Sequence, residues 1–175
     1  MKKKPIIHVI TGDGQGKTTA SLGLALRALG AKKRVKIIHF MKKANSSEHR
    51  AMQKYGLPIE IEAYGIGFYQ ILGDLKLPTE HKKAAQKGLE AARKAILAAN
   101  YDLIILDEIN VAIGFGLLEI NEVISVINLV KKGDIVLTGR RAHSKIKKMA
   151  HRVSEIKNTK NYFDKGQKAR RGIEY

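Results

Sequence analysis

The chain has 175 residues and a formal charge of +17, from 33 Lys and Arg against 16 Asp and Glu. That length favours one domain with room for a three-layer core, and the absence of cysteine excludes disulfides, thiolate zinc sites and cysteine nucleophiles. No apolar run approaches the ~20 residues that cross a bilayer, and the basic start Met1–Pro5 leads into no signal segment. A cytoplasmic protein with no membrane contact is the expectation.

In chain order, Ile6–Thr11 reads as a first strand and Lys17–Leu29 as a helix, closed by Gly30 in the left-handed position that such caps prefer. Val35–Phe40 reads as a second strand and Ile59–Ala63 as a third. Glu80–Ala99 is the clearest helix: Thr79 is placed to cap it, Glu80 lies in its first turn, and Ala85, Leu89, Ala92 and Ile96 make one apolar stripe. Leu103–Leu106, wholly apolar and flanked by Asp on both sides, reads as a central buried strand. Helix Ile120–Val130, strand Ile135–Thr138 and a short helix Ser144–Ala150 follow, and the chain from about Asn158 is polar and irregular. Strands alternating with helices imply an α/β fold of three layers around a mostly parallel sheet, residues 1–175 forming a single domain.

Thr11-Gly12-Asp13-Gly14-Gln15-Gly16-Lys17-Thr18-Thr19 stands between a strand and a helix. Three glycines let successive backbone N–H groups converge on phosphate oxygens, Lys17 adds a charge and the helix N-terminus its dipole. Thr18 offers a hydroxyl to a magnesium ion. The usual spacing has glycine where Thr11 stands, so the loop is a variant. Gly12 to Thr19 are therefore the expected contacts to ATP.

The second motif is Leu103-Ile104-Ile105-Leu106-Asp107-Glu108, an apolar strand ending in two acids beside such a loop. If the strand ran on, Asp107 and Glu108 would point to opposite sides, one reaching the metal and the other bracing the loop. Thr138-Gly139-Arg140-Arg141 follows the last central strand, where a guanidinium suits triphosphate oxygens. The six histidines read as structural or surface residues. Tyr64-Gly65-Ile66-Gly67-Phe68-Tyr69 is a loop with part-buried aromatics or an aromatic lid over a flat ligand.

Taken together, the chain resembles the P-loop family of ATP:corrinoid adenosyltransferases over nearly its whole length. The shortened loop, residues 37–43 with Glu48-His49-Arg50, Gly67-Phe68, Leu106-Asp107-Glu108, Thr138-Gly139-Arg140 with His143, and Val153-Ser154-Glu155 match in order. The ending, Phe163-Asp164-Lys165-Gly166 with Lys168-Ala169 and Gly172-Ile173-Glu174-Tyr175, is the most specific. One departure is Gln70, where some members carry tryptophan.

The resemblance implies a RecA-like P-loop nucleotide-binding fold. It also implies transfer of the 5′-deoxyadenosyl group from ATP to cobalt(I) of a corrinoid, with release of triphosphate. Lys17, Glu108 and Phe68 are then the catalytic candidates, with Phe68 a wedge beneath the corrin. Arg140 and Tyr69 join the loop in binding nucleotide or corrinoid, and Thr18, Asp107 and Glu108 hold Mg2+ or Mn2+. A flavodoxin-like or other flavoprotein supplies the electron, and a homodimer is left open. The competing reading is a RecA-like ATPase acting on nucleic acid through its basic surface, and a third is a nucleotide or small-molecule kinase. Against a nucleic-acid role, the lysines come in scattered pairs such as Lys82-Lys83 and Lys147-Lys148, with no stripe of Arg and aromatics.

Overall fold

Six short runs rich in Ile, Val and Leu make one all-parallel sheet in the computed structural model, which describes residues 4–43, 46–67, 69, 76–160, 170 and 172. The strands are β1 (Ile7–Thr11), β2 (Val35–His39), β3 (Ile59–Ala63), β4 (Leu103–Asp107), β5 (Asp134–Thr138) and β6 (Arg152–Glu155). Their order is β3-β2-β4-β5-β1-β6, so β5 lies between the loop strand β1 and the acid-bearing strand β4. Parallel pairing requires crossovers, supplied by α1 (Lys17–Gly30), α2 (Ser47–Lys54), α3 (Pro78–Ala98), α4 (Ile109–Gly114), α5 (Ile120–Ile127) and α6 (Ser144–Met149).

Alternation along each strand divides the core into two layers. Val9, Ile38, Leu106 and Leu137 face α3 to α6, whereas Ile10, Ile37, Ile105 and Val136 face α1 and α2. β4 is buried at every position, as its unbroken apolar run predicts for the middle of a three-layer fold. On α3 the expected stripe of Ala85, Leu89, Ala92 and Ile96 is buried, joined by His81, Gly88 and Ala95. Among the described residues no helix is long and apolar enough to cross a membrane.

Several boundaries differ from the sequence expectation. Thr79 does not cap α3: Pro78 opens the helix, and the Glu80 carboxylate accepts from the Leu77 N–H at 2.9 Å. Proline suits that first position because its missing N–H would have been unpaired there. Gly30 stays helical, and the left-handed turn comes at Lys32, with φ 57°. α5 stops at Ile127, and the helices α2 and α4 and the strand β6 were not expected. The strand β4 ends at Asp107, because Glu108 takes φ 63° and caps α4, so the two acids do not alternate as strand neighbours. Phe68 and the ending Phe163–Ala169 and Ile173–Tyr175 lie outside the described residues.

Candidate functional site

Parallel strands bring all their carboxyl ends to one edge, and register decides which side chains meet there. His39 pairs in register with Asp107, and Leu106 with Leu137, so His39, Asp107 and Thr138 form a row across β2, β4 and β5. Each lies two residues beyond a side chain that faces α1, so the row faces the first turn of α1. Thr18 sits in that turn.

The row is closely hydrogen-bonded. Asp107 is 1% exposed. Its Oδ1 accepts from Thr138 Oγ1 at 2.7 Å and from Thr18 Oγ1 at 3.1 Å. Its Oδ2 lies 2.8 Å from His39 Nδ1 and accepts from Lys42 Nζ at 3.2 Å. Burial alone would push this carboxyl's pKa up; the His39 hydrogen bond and the Lys42 charge outweigh it and hold Asp107 well below the usual carboxylate range. Glu108 goes the other way, raised by burial and by the Asp107 charge, against the pull of Lys42, His39 and Lys17. Neighbouring acids are thus split: one held ionised behind Thr18, the other turned toward open space.

The loop itself is braced by the far end of the chain. Gly12 has φ 97°, and a Cβ there would stand 2.3 Å from Ile156 O; at Gly14 it would meet Lys157 O at 2.7 Å. Gly14 N–H donates to Ile156 O at 2.8 Å, and Ile156 N–H to Thr11 O at 2.8 Å. Only glycine tolerates such approaches. Thr11, which stands where the usual spacing has glycine, is buried, and its Oγ1 accepts from Ala142 N–H at 3.2 Å. Within the loop, Lys17 Nζ donates to Gly12 O at 2.7 Å and to Gly14 O at 2.6 Å. Burial and the nearby Arg140 guanidinium lower the Lys17 pKa, with Asp13 and Glu108 opposing.

A cleft of about 740 Å³ opens on this edge, walled by residues 14–19 of the loop, Lys42, Glu48, Tyr69, Glu108, Phe115 and Arg140. Arg140 reaches it because Gly139, with φ 130°, turns the chain after β5. Tyr69 and Phe115 meet edge to face at 5.4 Å between ring centres and give the cleft an apolar side. Gly12, Asp13 and Asp107 are not on the wall, Asp107 standing behind Thr18. The other expected binding residues that are described, Gly14 to Thr19, Glu108, Arg140 and Tyr69, come together there.

Residues 37–43 and Glu48 lay in segments that match the family, but sequence reasoning gave no site role to His39, Lys42, Glu48 or Phe115. The signal for His39 was its place directly after an apolar run that ends at the sheet edge. His39 also stacks on His49 of α2 at 4.8 Å. His143 Nδ1 accepts from Lys145 N–H at 3.1 Å to cap α6, His151 Nδ1 accepts from Ile7 N–H at 3.0 Å, His8 Nε2 lies 2.9 Å from Ser154 Oγ, and His81 packs on Tyr69 at 4.9 Å between ring centres.

A cation fits the edge. The ammonium of Lys42 rests between Thr18 Oγ1 at 2.9 Å, Asp107 Oδ2 at 3.2 Å and Glu108 Oε1 at 3.9 Å. These are hard oxygen donors, too few to cage a metal alone. Among the described residues no three His, Cys, Asp or Glu side chains are grouped to hold one. That suits a magnesium ion that completes its shell with phosphate oxygens and water.

Comparison with known proteins gives a consistent result. The family model described as ATP:corrinoid adenosyltransferase BtuR/CobO/CobP matches residues 3–175. A corrinoid adenosyltransferase from Escherichia coli K12 is 30% identical over 175 residues, covering 99% of this chain and 87% of that protein. The corrinoid adenosyltransferase CobA of Salmonella typhimurium is 31% identical over 181 residues, again across 99% and 87%. Among solved structures, a KaiC-like protein from Pyrococcus horikoshii superposes with a TM-score of 0.51 at 17% identity, covering 91% of this chain and 76% of that one. At that identity the likeness concerns the fold alone, a RecA-like P-loop arrangement.

Proposed function

The chain belongs to the ATP:corrinoid adenosyltransferase family, and from that premise we propose how its cleft moves the 5′-deoxyadenosyl group of ATP to cobalt(I) of a corrinoid. The observation that carries the proposal is the hydrogen bond from Thr18 to Asp107, 3.1 Å long, behind a cleft that Arg140, Tyr69 and Phe115 also line. It joins the phosphate loop to the acid strand beside a space with one charged side and one aromatic side.

In the reaction cobalt(I) attacks the 5′ carbon, a cobalt–carbon bond forms, and the carbon–oxygen bond breaks with its electron pair leaving on triphosphate. No proton moves, so no general base is required. The protein's contribution is alignment and neutralisation of the leaving group. The loop amides, Lys17 and Arg140 take the triphosphate. Thr18, Asp107 and Glu108 would hold Mg2+ or Mn2+, which supplies positive charge at the leaving oxygens when bound. Tyr69 and Phe115 offer an apolar wall to a flat ring. Phe68, next in the chain to Tyr69, is the proposed wedge that removes the lower axial ligand of cobalt(II) and eases its reduction.

An acidic flavoprotein is the proposed electron donor, drawn to the +17 surface. We place the enzyme in the cytoplasm, as one domain, with pairing of subunits open. The test is anaerobic incubation with ATP, magnesium and chemically reduced cobalamin. A light-sensitive adenosyl corrinoid and stoichiometric triphosphate are expected; steady release of single phosphate with no alkylcobalt product overturns the reading.

A further inference from the structure

Lys42 has no part in the scheme above, yet it occupies the centre of the site. It follows β2, in the run Phe40-Met41-Lys42, and its side chain is 23% exposed on the cleft wall. An ammonium has three donors and no acceptor. Here it faces Thr18 Oγ1 at 2.9 Å, Asp107 Oδ2 at 3.2 Å and, at the longer range of an ion pair, Glu108 Oε1 at 3.9 Å. Both acids favour its charged form, enough to raise its pKa although burial, the largest single influence, acts to lower it.

Those three oxygens are the ones assigned above to the divalent cation. A magnesium ion binds oxygen at ~2.0–2.1 Å, so metal and ammonium cannot share them. One must leave for the other to arrive, and the lysine stem is flexible enough to go. We propose that Lys42 is an exchangeable internal counter-ion. It holds Thr18, Asp107 and Glu108 in place before substrate binds, yields them to the divalent cation that enters with the triphosphate, and swings into the cleft to meet the phosphate charge. The proposal rests on the metal reading above.

Two consequences separate this from a merely structural lysine. Metal alone has to displace a bound cation, so its affinity without nucleotide is weak. Metal with triphosphate gives the displaced ammonium a new partner, so each raises the affinity of the other. Removing the ammonium weakens both effects.

The experiment is Mn2+ binding to the full chain, read from the electron paramagnetic resonance signal of free Mn2+, with and without ATP and with no corrinoid present. Lys42→Met is expected to bind Mn2+ alone roughly tenfold tighter than the wild type, and the tightening that ATP causes should shrink by a similar factor. Lys42→Arg, which keeps the charge, should stay close to the wild type. Lys42→Gln keeps a donor without charge and should follow Lys42→Met, giving the same test should the methionine variant fail to fold. Unchanged or weaker Mn2+ binding in Lys42→Met, with Mn2+ still bound beside ATP, overturns the counter-ion role and leaves the metal site standing. If Mn2+ fails to bind the wild type even with ATP, the metal reading fails and the counter-ion role with it.

Discussion

Along the edge strand β3, Glu60 and Glu62 are half-exposed and pair with the exposed Arg34 and the buried Lys36, while at the end of β4 Asp107 is itself sealed from water. Both clusters join carboxylates to cations and hydroxyls across neighbouring strands. At β3 the Tyr101 hydroxyl donates to Glu60 and the Tyr64 hydroxyl to Glu62. At β4 the partners are His39, Thr18, Thr138 and Lys42. The difference lies in what remains after one partner is lost. At β3 water reaches the carboxylates, and at β4 it does not reach Asp107. Exposed pairs are therefore worth about 0–1 kcal/mol, whereas breaking a buried one costs about 3–5 kcal/mol. The β3 cluster covers a sheet edge with charge, which discourages further strands from pairing there.

The largest expected effect tests the buried side of this contrast. Asp107→Ala takes from the His39 ring its carboxylate partner and leaves Lys42 with Glu108 alone, and should lower stability by about 3–5 kcal/mol in urea unfolding, with adenosyl transfer lost. The pH dependence has a definite sign. A depressed carboxyl pKa contributes stability above the ordinary range near pH ~4, and that stability is lost as acid carries the protein down through the folded value. Asp107→Ala should lack this part of the acid transition. A loss below about 1 kcal/mol would group Asp107 with the surface pairs.

Lys17→Ala should have an intermediate effect, confined to function. Burial and Arg140 already disfavour the Lys17 charge, so its removal relieves repulsion while it frees the Gly12 and Gly14 carbonyls. Turnover should fall below about a tenth of the wild type, or ~1.4 kcal/mol of barrier, while the melting temperature holds. A variant with more activity than that would remove Lys17 from the triphosphate.

The smallest effect belongs to β3. Its hydrogen bond to Glu62, more than burial, pushes the Tyr64 pKa up to about 12. A raised tyrosine pKa contributes stability that is complete below the ordinary value near ~10 and is lost as pH rises through the folded one. Glu62→Gln should return that tyrosine toward ~10 in an ultraviolet titration of tyrosinate, cost no more than about 1 kcal/mol at neutral pH, and leave activity unchanged. A titration curve identical to the wild type would show that Tyr64 and Glu62 are not coupled.

The sequence was most legible where a pattern is local. The apolar run before Asp107 could only be a buried strand, and glycines followed by Lys-Thr between a strand and a helix announce a phosphate loop. Short elements were harder. In α4 apolar residues resume directly after the Asp107-Glu108 pair that ends β4, and the left-handed Glu108, a non-glycine residue, gives no warning of positive φ. β6 is largely exposed and carries no clean alternation. Ser46, which accepts from His49 N–H at 3.3 Å, was the readable cap of α2 but stands before a polar stretch with no stripe. His39 and Lys42 were illegible for a different reason. Their roles come from the register of β2 on β4, a relation between residues far apart in the chain.

The braced phosphate loop has a bearing on how the protein is made. β1 finds its sheet partners only in β5 and β6, and Gly14 N–H finds its acceptor only at Ile156. A ribosome releases the loop well over a hundred residues before these supports. The loop therefore waits for partners that come much later in the chain, and that closure is slow in conformational terms. A nascent chain cut short before Ile156 carries every loop residue and lacks the carbonyl that accepts from Gly14 N–H. Nucleotide binding thus becomes available only when the strand that follows α6 has emerged and docked.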